Sequence, residues 1–228
     1  MERITAVILA GGTGSRMNRG MPKQFIHVKG KPLILHSVEM FDKNKRITDI
    51  ILVSHEDHIG TLLNIVKQAG VCKVRRVVPG GKTRQGSSFN GLKACPEGTE
   101  IVLIHDAARP FVDDAMIERT IAGAKKYKAV TTAIEVTDTL IEEKKGFVRR
   151  VPPREKFMRV QTPQGFKYEL ILTAHKNALR KKKKGTTDDA GLIIASGGKV
   201  KLVEGSHRNI KVTNSMDLAV AGQLANER

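Results

Sequence analysis

Short apolar runs alternate with stretches in which apolar residues recur every three or four positions, and this rhythm persists along most of the chain. The runs near residues 4–10, 47–54, 73–78, 100–105, 129–136 and 199–204 are short and rich in β-branched residues, which predicts strands. Intervals at 32–41, 56–69, 84–94, 113–127, 167–180 and 187–195 carry helical spacing. Boundary residues agree: Pro32 stands near a helix start, Asp113 is suited to an N-cap, and Gly70 follows the second helix. Strand–helix alternation implies an α/β fold, a mostly parallel sheet with right-handed crossovers and helices on both faces.

One segment departs from the rhythm. At about 138–154 two short strand-like runs flank a charged turn at Gly146, with too little apolar surface for a core of their own. Such an arm is expected to bury itself against a second copy of the chain, which predicts a homodimer; a solvent-exposed flap is the plainer alternative. The remainder is expected to form one domain over residues 1–228.

The first apolar run feeds directly into Ala10-Gly11-Gly12-Thr13-Gly14-Ser15-Arg16-Met17, closed by Pro22-Lys23-Gln24. A glycine-rich loop at the carboxyl end of a strand lets backbone N–H groups approach phosphate oxygens, and Arg16 and Lys23 add fixed charge that suits a nucleoside triphosphate. A dinucleotide fingerprint is excluded, because Met17 stands where its third glycine belongs. A P-loop is excluded too, since Gly81-Lys82-Thr83 has Arg76 at the required first glycine.

Charge sharpens this reading. Forty Lys and Arg against 23 Asp and Glu give +17, a field that attracts polyanions. The densest run, Arg180 to Lys184, would suit nucleic acid, but lysines at a helix C-terminus also complement its dipole. With no Trp, two Tyr and seven Phe, platforms for base stacking are scarce, so a nucleic-acid-binding module is the disfavoured alternative. No apolar run approaches a membrane span, the N-terminus lacks the features of a signal peptide, and Cys72 and Cys95 stand far apart without ligand clusters; a cytoplasmic enzyme is the simplest expectation.

Further candidate groups fall at or just after predicted strand ends. Gly81, Lys82 and Ser87 lie in a glycine turn that opens a helix and suits a base. In His105-Asp106-Ala107-Ala108-Arg109-Pro110 an acid ends an apolar strand where it can meet Mg²⁺ or its water shell, although an Asp–Arg pair pinning a loop would look the same. Arg154 and Thr162 offer a guanidinium and a hydroxyl for a second phosphate, and Lys211 a further cation. His55-Glu56-Asp57-His58 is read as acids opening a helix rather than a metal cluster, and Asp217 as a cap of the final helix. Thr187-Asp188-Asp189 is explained by an N-cap.

Taken in order, A-G-G-x-G-x-R-M…P-K-Q, G-G-x-x-R-x-x-S, H-D-A-A-R-P, Q-T-P-Q-x-F, T-D-D-A and N-I-K-V-T resemble the 2-C-methyl-D-erythritol 4-phosphate cytidylyltransferase family from about residue 6 to 218. The resemblance implies a Rossmann-like sheet with dimerising arms and Mg²⁺-dependent reaction of CTP with a polyol phosphate, giving a CDP-polyol and pyrophosphate in non-mevalonate isoprenoid precursor synthesis. It implies that Ala10, Gly11, Gly12 and Gly14 hold CTP, with Gly81, Lys82 and Ser87 around the cytosine. Arg16 and Lys23, with Lys211, would stabilise the transition state; Asp106, Ala107 and Arg109 would stand on the acceptor and metal side. Thr139 and Arg154 would come from the partner's arm to bind the acceptor phosphate, and Thr162 and Lys211 would complete the pocket. The Ala-Gly-Gly of the first loop is also similar to the related ribitol-5-phosphate cytidylyltransferases, whereas H-D-A-A-R-P and T-D-D-A resemble the erythritol branch, which is the favoured reading.

Overall fold

The computed structural model describes residues 2–12, 22–180 and 186–227. Among these the strands are, in chain order, β1 (Arg3–Ala10), β2 (His27–Val28), β3 (Lys31–Pro32), β4 (Asp49–Ser54), β5 (Val74–Pro79), β6 (Thr99–Asp106), β7 (Ala129–Glu135), β8 (Glu142–Lys144), β9 (Phe147–Arg150), β10 (Met158–Lys167) and β11 (Lys201–Glu204). The helices are α1 (Leu33–Lys43), α2 (Ile59–Gln68), α3 (Arg84–Lys93), α4 (Asp114–Tyr127), α5 (Tyr168–Arg180), α6 (Asp189–Ala195) and α7 (Ser215–Asn226).

Seven strands form the central sheet in the order β11-β7-β10-β6-β1-β4-β5. All neighbours are parallel except β10, which runs antiparallel to both β6 and β7. Alternate side chains of the central strands feed two cores, as the two-residue period of a strand requires. Ile4, Ile8, Ile50 and Leu103 face the layer of α1, α2 and α4, while Val7, Val53, Val102 and Ile104 face that of α3, α5 and α6. Both faces being covered explains why these strands read as nearly unbroken apolar runs. On the second face α3 lies unusually close: a Cβ at Gly91 would fall 2.4 Å from Val7 Cγ1 and 2.9 Å from Val53 Cγ2. That approach sets the start of α3 against the carboxyl ends of β1 and β4.

The expected strand starting at residue 199 begins instead at Lys201, and the expected helix at 56–69 opens as a 3₁₀ turn, Glu56–His58, before α2. Three strands went unforeseen: β2 and β3, which pair in a two-residue antiparallel ribbon, and β10. β10 carries Pro163 and Gly165, which ordinarily argue against a strand interior. Its pairing with β7 slips between Val160 and Gln164, around the cis Thr162–Pro163 peptide, and that irregularity accommodates the proline.

Segment 138–154 contains a separate two-stranded hairpin, β8 with β9, joined by Lys145 and Gly146, both at positive φ as a two-residue hairpin turn demands. Glu142 accepts hydrogen bonds from Arg149 and Arg150 on the opposite strand. Phe147 is 78% exposed, and Ile141, Val148 and Val151 are exposed as well. Among the described residues no helix is long and apolar enough to cross a membrane.

Candidate active site

β1 and β6 are parallel neighbours in a register that sets Leu9 beside Asp106, so their following loops leave the sheet together. Ala107 N–H donates to Leu9 O at 3.0 Å. Gln24, buried in a 3₁₀ turn at Lys23–Phe25, donates to Ala10 O at 2.7 Å and fixes that turn to the end of β1. The last loop returns to the same edge through Val212 N–H, which donates to Ala108 O at 2.8 Å; Lys23 Nζ donates to Val212 O at 3.0 Å.

These elements and the start of α3 enclose a cleft of about 350 Å³. Ala10, Gly11, Gly12 and Lys23 line one side, and Gly81, Lys82 and Ser87 the other. Asp106, Ala107 and Lys211 complete it. Ten residues singled out from the sequence thus meet in one cavity, as a binding crevice at the carboxyl ends of parallel strands requires. Gly14 and Arg16 lie outside the described residues, as do 181–184 of the lysine run.

Thr83 caps α3 by accepting from Gly86 N–H at 3.0 Å. The Ser87 hydroxyl donates to Thr83 O at 3.0 Å and accepts from Gly81 N–H at 3.1 Å, which folds the glycine turn back over the first turn of the helix. The backbone of this turn is therefore presented to the cleft in one conformation.

Asp106 is the one acid lining the cleft among the described residues, and each of its oxygens meets a cation: Oδ1 takes Arg84 Nε at 3.1 Å and Oδ2 takes Lys211 Nζ at 2.7 Å. Burial opposes its ionisation, but the charges of Arg84 and Lys211 prevail and hold the carboxyl well below the usual range. Arg84 in turn reaches Asp189 Oδ2 at 2.7 Å. Burial would lower the Arg84 pKa, yet the two carboxylates raise it, so the guanidinium stays charged. Asp189 is 1% exposed and also accepts from Ser88 Oγ at 2.6 Å and from His175 Nε2 at 2.9 Å; against the effect of burial, these partners keep it ionised. The order of charges across the site is Lys211, Asp106, Arg84, Asp189.

Below the cleft a second set of bonds runs through His105, which is fully buried. Asp106 N–H donates to Thr162 Oγ1 at 3.0 Å, that hydroxyl lies 3.1 Å from His105 Nδ1, and His105 Nε2 lies 3.0 Å from Arg109 O. With Nε2 carrying the proton every group in this chain is satisfied. Burial pushes the His105 pKa down to about 4, so the ring is neutral at ordinary pH.

Other expected site residues fall elsewhere. Thr162 is buried and its hydroxyl is engaged beneath Asp106 rather than lining the cleft. Arg109 donates to Asn209 O at 2.8 Å and Val160 O at 3.1 Å and lines a neighbouring cavity. Thr139 and Arg154 are exposed on and beside the arm, Arg154 donating to Thr137 O at 2.6 Å; within one chain they do not join the cleft. Asp188 caps α6 through Gly191 N–H, and Asn214 and Asp217 form a capping box on α7, as expected. No cluster of three or more His, Cys, Asp or Glu able to hold a metal occurs among the described residues, His55–His58 included. Sequence reasoning passed over Arg84 and Asp189 as site residues, although both stand inside the motifs G-G-x-x-R-x-x-S and T-D-D-A.

The sequence model of the 2-C-methyl-D-erythritol 4-phosphate cytidylyltransferase family matches residues 4–227. The chain belongs to this family. It is 41% identical to the cytidylyltransferase of that name from Clostridium botulinum (strain 657 / Type Ba4), with 98% of each chain covered, and 43% identical to the one from Clostridium novyi (strain NT), covering 98% and 97%. Its fold matches the crystal structure of 4-diphosphocytidyl-2C-methyl-D-erythritol synthase from Anaerococcus prevotii with a TM-score of 0.87 at 33% identity, covering 100% and 97% of the two chains. The 2-C-methyl-D-erythritol 4-phosphate cytidylyltransferase from Thermus thermophilus gives 0.77 at 31% identity, covering 96% and 98%. This cytidylyltransferase therefore belongs to the nucleotidyltransferase class, uses CTP and serves isoprenoid precursor synthesis.

Proposed function

We propose that the cleft transfers CMP from CTP to 2-C-methyl-D-erythritol 4-phosphate, with the nucleotide against the Ala10–Gly12 and Gly81–Ser87 loops and the acceptor approaching past Lys211. The observation that carries this reading is the pairing of Arg84 and Lys211 with a single carboxylate, Asp106, in a cleft that Lys23 also lines at the carboxyl edge of the sheet. The acceptor's phosphate monoester is an anion near neutral pH, so one of its oxygens forms a bond to the α-phosphorus in line. The bond from that phosphorus to the β-phosphate oxygen breaks, and pyrophosphate leaves with the electron pair. No general base is required, and His105, buried, neutral and bonded at both nitrogens, supports that economy. What the protein supplies is positioning and fixed positive charge: Lys23 and Arg16 toward the triphosphate, and Lys211 between the two reactants.

Asp106, as the one acid lining the cleft among the described residues, fits the sparse oxygen site at which Mg²⁺ is shared with substrate phosphates. When bound there, Mg²⁺ would neutralise charge on the triphosphate. Lys211 would turn from Asp106 to a phosphate oxygen as substrates arrive. The exposed apolar residues of the arm support a homodimer in which Thr139 and Arg154 of each arm reach the partner's acceptor site, and a cytoplasmic setting suits the substrates.

The test is pyrophosphate release with methylerythritol phosphate or ribitol 5-phosphate as acceptor, each with CTP, UTP and ATP. Release with CTP and methylerythritol phosphate, and little with the other pairs, is expected. Preference for ribitol 5-phosphate would overturn the acceptor, and indifference to the base would overturn the role of the glycine turn.

A further inference from the structure

A second cavity, of about 450 Å³, opens on the far side of Lys211, whose side chain lines both spaces. Arg109, Arg159 and His207 stand in its wall together with Lys211. Its single acid, Asp217, is committed to the start of α7: one carboxylate oxygen accepts from Thr213 N–H, Thr213 Oγ1 and Asn214 N–H. Lys211 is paired with Asp106 across the boundary, so among the described residues the guanidinia of Arg109 and Arg159 share this cavity with one committed acid.

The two guanidinia are held differently. Arg109 is tied by its terminal nitrogens to Asn209 O and Val160 O, while its Nε is buried without a hydrogen-bond partner. Burial lowers its pKa; the charge of Asp106 opposes this, and those of Arg159 and Arg84 add to it. Arg109 thus stands within electrostatic reach of both the cleft carboxylate and Arg159. Arg159 stands on β10 beside Ile134 of β7, is exposed, and its side chain makes no hydrogen bond or ion pair with any described residue. His207 is likewise exposed and without such a partner. Arg109 and Arg159 repel one another, and an anion between them would relieve that repulsion. The lining also includes the apolar residues Ile134, Val160, Ile210 and Val220, which suit a carbon skeleton.

We propose that Arg159 and His207 are acceptor-recognition residues, holding the phosphate of the polyol phosphate from within the same chain while Lys211 marks the boundary across which its oxygen meets the nucleotide. This deepens the cytidylyl-transfer reading and rests on it. The set is distinct from Thr139 and Arg154, the arm residues expected from the partner. Arg159 offers a planar, two-pronged donor to a phosphate, and His207 an N–H from the neighbouring loop.

The test uses the full-length protein and the variants Arg159→Gln, Arg159→Lys and His207→Asn, all at exposed positions. With CTP saturating, Arg159→Gln should raise KM for methylerythritol phosphate roughly tenfold, the loss of one charge-assisted phosphate contact, while KM for CTP stays within about twofold. Arg159→Lys should recover part of that loss as a point charge, and His207→Asn should give a smaller rise in the same constant. An unchanged acceptor KM in both Arg159→Gln and His207→Asn, or a change confined to CTP, would overturn the proposal. Calorimetric titration with inorganic phosphate separates the two levels of the argument. If the native protein makes no CDP-product yet binds phosphate more tightly than Arg159→Gln does, the pocket stands and the transfer reading falls. If it makes product but both proteins bind phosphate equally, the pocket falls and the transfer reading stands.

Discussion

At and behind the cleft, Lys23, Arg84, Asp106 and Asp189 are partly or wholly buried and held by neighbours from distant parts of the chain; on the arm, apolar side chains stand exposed beside the exposed Arg149 and Arg150. Asp189 illustrates the first arrangement, at 1% exposure with Arg84, Ser88 and His175 around it, and Phe147 the second, at 78%. The difference separates two ways of making a site. The cleft is preorganised by the fold that carries it, so its cations need not be recruited when phosphates arrive. The arm has little of its own to pack against, and its sequence makes sense through what covers it.

The largest effect should come from cutting the sealed network. Asp189→Asn keeps the side-chain shape but leaves the Arg84 guanidinium with one carboxylate fewer in a half-buried position, and breaking a buried pair costs about 3–5 kcal/mol of folding stability. Urea denaturation should report that loss; a change below about 1 kcal/mol would mean the network is not what holds the cleft together.

A similar magnitude should appear on acidification, without any mutation. His105 has a folded-state pKa of about 4 against about 6.5 when unfolded, so between these values the unfolded chain takes up a proton that the folded chain refuses. Stability is therefore complete above about pH 6.5 and falls as pH drops toward 4, by up to about 3 kcal/mol, after which this contribution levels off. Asp106 and Asp189, held below the usual carboxylate range, add a second loss as pH falls below about 4. His105→Gln should flatten the upper window and leave the lower one, as read by denaturation midpoints along a pH series.

Lys23→Ala tests preorganisation directly. Its ammonium is anchored at Val212 O in the cleft, and removing a fixed charge of this kind should lower kcat on the order of 10²-fold while the thermal midpoint moves little. Near-native turnover in the folded variant would remove Lys23 from the transition state.

The two regions also differed in how far the chain disclosed them. Four inner strands, β1, β4, β6 and β7, were legible because both their faces are buried, which leaves an apolar run with little ambiguity, while the more exposed edge strands β5 and β11 were legible from short β-branched runs. β10 was hidden because half of the residues it buries, Gln161, Thr162 and Gln164, are polar and bonded individually, and Pro163 and Gly165 break the run before Phe166. Gln164 spans from Thr131 and Asp188 to the first N–H groups of α6, and Gln161 bonds to Ser206, so nothing in the hydropathy pattern marks a strand. In the site, glycines and lysines at strand ends announced themselves by type and position. The pairing of Arg84 with Asp189, 105 residues apart, did not, since each looked like an ordinary part of a helix start. The arm was recognisable from what it lacks, a core.

The smallest effect on folding, and the sharpest contrast with Asp189, is expected from Phe147→Ser combined with Val148→Ser. Both side chains are exposed, so removing them should leave the denaturation midpoint within about 0.5 kcal/mol at the lowest protein concentrations. If the arm joins two copies, the native chain's midpoint should climb with protein concentration, because association draws on the folded state alone, and the variant should lose that climb. Sedimentation would then find a dimer for the native chain and a monomer for the variant at equal loading. Should the double variant unfold several kcal/mol early even when dilute, those side chains pack on their own chain after all. The division between a sealed cleft and an arm awaiting cover would then be drawn in the wrong place.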